Sequence, residues 1–97
     1  MLIERGVTPG EIVTIKLASG EEIIAKLVEE EPLYYALAKP MVVVMTPNGA
    51  SLIPYLITAD LEKPVKLLKS IVTTHIELTE KSFANRYIEL TTNIKLV

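Results

Sequence analysis

Residues 11–31 read EIVTIKLASGEEIIAKLVEEE, and no other stretch constrains the fold as tightly. Two runs of β-strand character, residues 12–17 and 22–28, flank Ala18-Ser19-Gly20. The glycine lets so short a connection turn through positive φ, as a hairpin requires. In the first run Val13, Ile15 and Leu17 alternate with Thr14 and Lys16, the two-residue period of a strand with one buried face. In the second, Ile23, Ala25 and Leu27 share one side, while Glu22, Ile24, Lys26 and Val28 share the other. Ile24 and Val28 are thus apolar residues on the side expected to be wet. Strands carry such residues where their outer face meets a helix or another subunit.

The β character continues downstream. Residues 33–46 read LYYALAKPMVVVMT, a long β-branched and aromatic run broken by Pro40. Proline cannot donate to a ladder, so it marks an edge, a bulge or a bend. Asn48-Gly49 separates this run from SLIPYLIT at 51–58, and Asn-Gly between apolar runs is the strongest short-range hairpin signal. Residues 59–64 (ADLEKP) read as a bulge or surface loop, and 65–78 (VKLLKSIVTTHIEL) as the last β-rich run. The period then changes. Phe83, Tyr87 and Leu90, with Ala84, Ile88 and Thr91, form a stripe at helical spacing that predicts an amphipathic helix over 80–91. Thr79 is its expected N-cap, and Glu80 in the first turn suits the helix dipole. Residues 1–10 end in Thr8-Pro9-Gly10, a turn signal, and leave room for one helical turn at most. The expectation is a mainly β single domain over 1–97. It comprises an N-terminal segment (1–10), a strongly bent five-stranded antiparallel sheet forming a small open barrel (11–78), and a C-terminal α-helix with its tail (79–97).

The hairpin stretch resembles the first motif of Sm and LSm proteins, the superfamily that includes the bacterial RNA chaperone Hfq, which reads N-G-x-x-x-x-G-x-L-x-x-x-D. Gly20 stands at the turn glycine, Leu27 at the core leucine and Glu31 at the acidic position, with Ala25 in place of the second glycine. Residues 67–74 (LLKSIVTT) are similar to the Hfq form of the second motif, V-Y-K-H-A-I-S-T. Lys69 falls on its lysine and Thr74 on its threonine, Leu67 and Val72 match in kind, and Ser70 replaces the histidine. The resemblance implies an Sm-like fold whose sizeable helix has moved to the C-terminal end. Altered motifs joined to such a helix look like the Sm-like chains of bacteriophages, notably cyanophages and their marine relatives.

That resemblance carries expectations about assembly and ligand. Sm proteins pair the fourth strand of one subunit with the fifth of the next, and the head-to-tail contact closes into a ring. The candidate edges here are residues 51–56, with Ser51, Ile53 and Tyr55, and residues 71–78, with Ile71, Thr73 and His75. A homo-oligomeric ring, pentamer to heptamer, follows. The family stacks an RNA base on one side chain, reads its edge with an asparagine and completes the pocket with a basic residue. Counting from Glu31 puts Tyr34 at the stacking position and Tyr35 at the asparagine position, with Lys69 supplying charge beside Ser70. Phenol lacks the amide's paired donor and acceptor, so Tyr35 departs from the uridine-reading pattern. The plainer reading makes Tyr34 and Tyr35 a strand pair, one in the core and one at an interface, and Lys69 a turn residue.

Composition narrows the classes. Hydrophobic residues make up 49% of 97, high for so small a monomer, yet no apolar run reaches the roughly 18 residues of a membrane span. Subunit interfaces are where that excess is expected. The first residues, MLIERG, lack the long apolar stretch of a signal peptide, and the chain has no cysteine. Both suit a cytoplasmic setting, the host cytoplasm if the chain is phage-encoded. A net charge of −2 argues against broad duplex binding, although a ring can focus a few lysines at its pore. His75, the single histidine, reads as a cross-strand or interface residue, and Asp60, Glu62 and Lys63 as a solvated loop. With no glycine-rich phosphate loop, nucleophile elbow or triad, neither an enzyme nor a cofactor is expected. Three functions stay open: a ring binding single-stranded RNA or serving RNA-associated assembly, a structural or adaptor ring with a protein partner, and a monomeric peptide-binding barrel of the SH3 type.

Overall fold

A computed structural model of the chain describes residues 7–58, 60, 62–73 and 76–94. β1 (Ile12–Lys16) and β2 (Glu22–Glu30) form the antiparallel pair that the alternation predicts. Val13 lies opposite Ala25 and Ile15 opposite Ile23, so the inward residues of the two strands meet. With Leu17, Leu27, Leu37 and Leu67 they build a fully buried aliphatic cluster. Each such Leu, Ile or Val contributes about 1.5–3 kcal/mol on burial. Gly20 takes φ 101° at the turn, where its N–H donates to the Leu17 carbonyl at 2.9 Å.

β3 (Tyr34–Thr46) runs antiparallel to β2 through two register shifts. Ile24 faces Met41 and Lys26 faces Ala38, so Ala25 alone spans Lys39 and Pro40. Lys39 sits at φ 47°. The bulge absorbs the proline where the ladder would otherwise want an N–H. A second shift, between Leu27 and Glu29, leaves Val28 as an extra residue on β2. Two bulges on one pair sharpen its twist, and the other edge of β3 is shared. Its far half pairs with β4 (Gly49–Pro54) and its near half, Tyr34 to Leu37, with β5 (Val65–Leu68).

The β3–β4 hairpin forms where expected, but its two turn residues are Pro47 and Asn48. Proline holds φ near −65°, which excludes the mirror-image turn that Asn-Gly favours. Gly49 instead opens β4 at φ 113°, and the Thr46 hydroxyl donates to its carbonyl at 2.8 Å. β4 stops at Pro54 rather than continuing to 58. Tyr55 still donates its N–H to the Pro40 carbonyl, but Ile57 beyond it is 85% exposed.

The last predicted strand, 65–78, is divided, giving six strands rather than five among the described residues. β5 ends in a single 3-10 turn (Lys69–Ile71), Val72 makes an isolated bridge to Leu17, and β6 (Glu77–Leu78) pairs with β1. The division has a geometric cause. β5 lies on β3 and β6 on β1, different edges of the sheet, and one straight strand cannot lie along both. All pairings among the described residues are antiparallel, and their path β4-β3-β2-β1-β6, with β5 on β3, is open.

The C-terminal helix, α1 (Lys81–Ile94), covers the outer face of this sheet. Ile24, on the side expected to be wet, is 2% exposed and packs with Met41, Leu52 and Tyr87 in a second cluster, edged by Ile12, Val43, Phe83 and Leu90. A helix is therefore what meets this face at Ile24, whereas Val28 stays 40% exposed. The cap differs from the expected one. The Glu80 carbonyl accepts the first helical bond, from Ala84, and its carboxylate accepts the Phe83 N–H at 3.3 Å. Glu80 is the cap; the Thr79 hydroxyl instead bonds that of Thr14 at 2.8 Å. No described helix is long and apolar enough to cross a membrane.

Candidate functional site

The residues expected to bind RNA lie where β3, β5 and the 3-10 turn meet. A tight turn, closed by the Glu31 N–H donating to the Tyr34 carbonyl at 2.8 Å, brings β3 back along β2. Tyr34 then pairs with Leu68 and Tyr35 with Leu67. Neighbouring residues of a strand point to opposite faces. Tyr35 shares the face of Leu67 and packs against the main cluster, whereas Tyr34 projects from the other side.

Each tyrosine has its own lysine. Lys66 donates to the Tyr34 hydroxyl at 3.0 Å, with its Nζ 4.6 Å from the ring centroid. That bond, then charge interaction with Tyr34, Glu31 and Glu29, holds the Lys66 ammonium above the ordinary lysine range against desolvation. Lys69 lies 5.0 Å from the Tyr35 ring centroid and donates to Glu30 Oε2 at 2.7 Å. Glu30 is the cross-strand partner of Tyr35, so ring, cation and carboxylate form one row. This is the one ion pair among the described residues, and an exposed pair of this kind contributes about 0–1 kcal/mol.

Within the expected group, Lys69 lies against Tyr35, while Tyr34 takes Lys66, a residue that motif comparison passed over. Alternation along β5 was the available signal, because Lys66 lies one residue before core Leu67 and so on the Tyr34 side. Ser70 lies exposed in the 3-10 turn. Chemically, a half-buried tyrosine edged by an ammonium offers a face for a planar ring and a charge for a nearby phosphate.

The expected interface residues divide similarly. Ser51 and Ile53 stand on β4, opposite Val44 and Val42, and Ile53 is 45% exposed. Tyr55 lies past the end of β4 and packs against the main cluster. Ile71 and Thr73 were expected in one continuous strand. Ile71 belongs to the 3-10 turn, where its carbonyl accepts from Ala18, and the Thr73 N–H donates to the Lys16 carbonyl at 2.9 Å. Their backbone on that side is engaged within the subunit, because the chain is crossing to β1 there. His75 and Thr74 lie outside the described residues. Among those described, no cluster of three histidine, aspartate or glutamate side chains is placed to hold a metal.

No protein-family model matches this chain, and no curated protein matches it.

Proposed function

We propose that this chain is an Sm-like subunit of a homo-oligomeric ring, pentamer to heptamer, that binds single-stranded RNA or serves as a platform for RNA-associated assembly. The observation that supports it best is the order of the sheet. The path ends in β4 on one side and β6 on the other, the two regions that a head-to-tail ring would join. An open sheet leaves backbone donors and acceptors at both ends, and a copy of the same chain supplies their complement. Ile53 on β4 and Leu78 on β6 are both exposed, so apolar burial accompanies that pairing. The Tyr34–Lys66 and Tyr35–Lys69 pairs on each subunit supply aromatic faces and cations for a few nucleotides per copy.

A second reading keeps the ring and drops the nucleic acid, making the protein a structural or adaptor ring of phage type. Its support is the carboxylate of Glu30 on Lys69, which neutralises the charge an RNA phosphate would seek. Native mass spectrometry with and without nuclease separates the readings. A closed oligomer releasing nucleotide mass on digestion is the expected result; a stable monomer ends both. Fluorescence anisotropy with U-rich, A-rich and mixed oligoribonucleotides then tests the site. Lys66→Ala and Lys69→Ala should each weaken binding, and unchanged affinity leaves the adaptor reading.

A further inference from the structure

We propose that the cavity between the outer sheet face and the first turn of α1 binds a small amphiphilic cation, an apolar ring or chain carrying a protonated amine. The cavity holds about 210 Å³. Ile24, Val43 and Phe83 line its apolar part, while Glu22 and Glu80 stand among its polar lining. An apolar cavity of about 150 Å³ accommodates benzene, so one ring with a short alkylamine fits here.

The cavity is preformed because α1 is fastened on both sides of it. Before the helix, Thr79 bonds Thr14 on β1. One turn beyond Phe83, the Tyr87 hydroxyl donates to the Ala38 carbonyl at 2.7 Å and accepts the Lys26 N–H at 3.2 Å. Neither end can settle further onto the sheet, and the wedge between them stays open. Clefts of this form, mostly apolar with a few polar groups, are the usual shape of small-ligand sites.

Charge selects the ligand. The Thr14 and Thr79 hydroxyls bond each other and are neutral, so the charge in the lining is that of the two carboxylates. Glu80 accepts from Ser82 and Phe83 through Oε1, so Oε2 remains for a ligand. Glu22 lies opposite Lys16 in the ladder, yet among the described residues the one ion pair is that of Lys69 with Glu30. Two carboxylates around an apolar floor favour an ammonium over a neutral or anionic group of the same shape.

The test is an amide-resolved NMR titration of the intact protein with three probes of one shape: 2-phenylethylammonium, 2-phenylethanol and phenylacetate, at constant ionic strength. Saturable shifts centred on Ile24, Val43 and Phe83 are expected, with the ammonium binding about fivefold tighter than the alcohol, the scale of exposed ion pairs. Phenylacetate should bind weakest. Glu22→Gln combined with Glu80→Gln, which keeps an acceptor at the helix cap, should erase the preference while the alcohol binds as before. Equal binding of the three probes, a preference that survives the double substitution, shifts centred elsewhere, or no saturable shift would each overturn the proposal. The readout is independent of oligomeric state and of RNA.

Discussion

The two faces of the sheet are held by different means. The inner face is a cluster of aliphatic side chains from β1, β2, β3 and β5, most of them from the first hairpin. The outer face joins Ile24, Met41 and Leu52 to Tyr87 of a helix far along the chain, and adds a polar fastening. The Tyr87 hydroxyl bonds Lys26 and Ala38, which face each other beside the Lys39–Pro40 bulge. A ladder disturbed by a proline thus receives a side-chain partner from the helix. Apolar contact alone is non-directional, so the inner face tolerates rearrangement of volume; the outer face depends on one hydroxyl meeting two backbone groups.

Breaking the inner face should cost most. Ile15→Ala is expected to lower unfolding free energy by about 2–5 kcal/mol in urea titration, through lost transfer energy and the cavity it leaves. Tyr87→Phe attacks the other face while keeping its volume. About 1–2 kcal/mol should be lost, because a part-buried donor and acceptor lose their partner, and amide exchange should quicken in α1 before it does in β1.

Alkaline pH sharpens the same contrast. Burial pushes the Tyr87 phenol up to about 12, against the bond from Lys26, so the folded state keeps the proton that the unfolded chain gives up near its ordinary value. The stability it contributes is present below about pH 10 and falls as pH rises from there towards 12, by up to about 2 kcal/mol. Tyr87→Phe should lack that component, and identical pH profiles for the two proteins would refute it. The smallest effect belongs to the helix start. Glu80→Ala should lower the thermal midpoint slightly by removing the cap, and Glu80→Gln by less. Hydrogen bonds from Ser82, chiefly, hold the Glu80 carboxyl below the usual range, so its charge persists into mild acid.

Part of the candidate site was legible before the fold. Tyr34, Tyr35 and Lys69 do lie close together, because motif spacing reflects strand pairing. Which lysine meets which tyrosine was not legible, because counting along the chain ignores faces. Alternation places Tyr34 and Tyr35 on opposite sides, and the 3-10 turn then carries Lys69 over to Tyr35. Lys66 had no motif position to recommend it and was found only through its contact with the Tyr34 hydroxyl.

Periodicity by itself determined the hairpin of β1 and β2, its buried side and the stripe of α1, and the Asn48-Gly49 signal the turn after β3. These are local properties, set by which side chains recur on one face of a strand or helix. The tertiary structure alone decided that Ala25 spans two residues of β3, that the last β run divides between two sheet edges, and that Glu80 rather than Thr79 caps the helix. Each of those depends on what a backbone group meets from a distant part of the chain, and hydrogen bonds are satisfied in space, not in sequence.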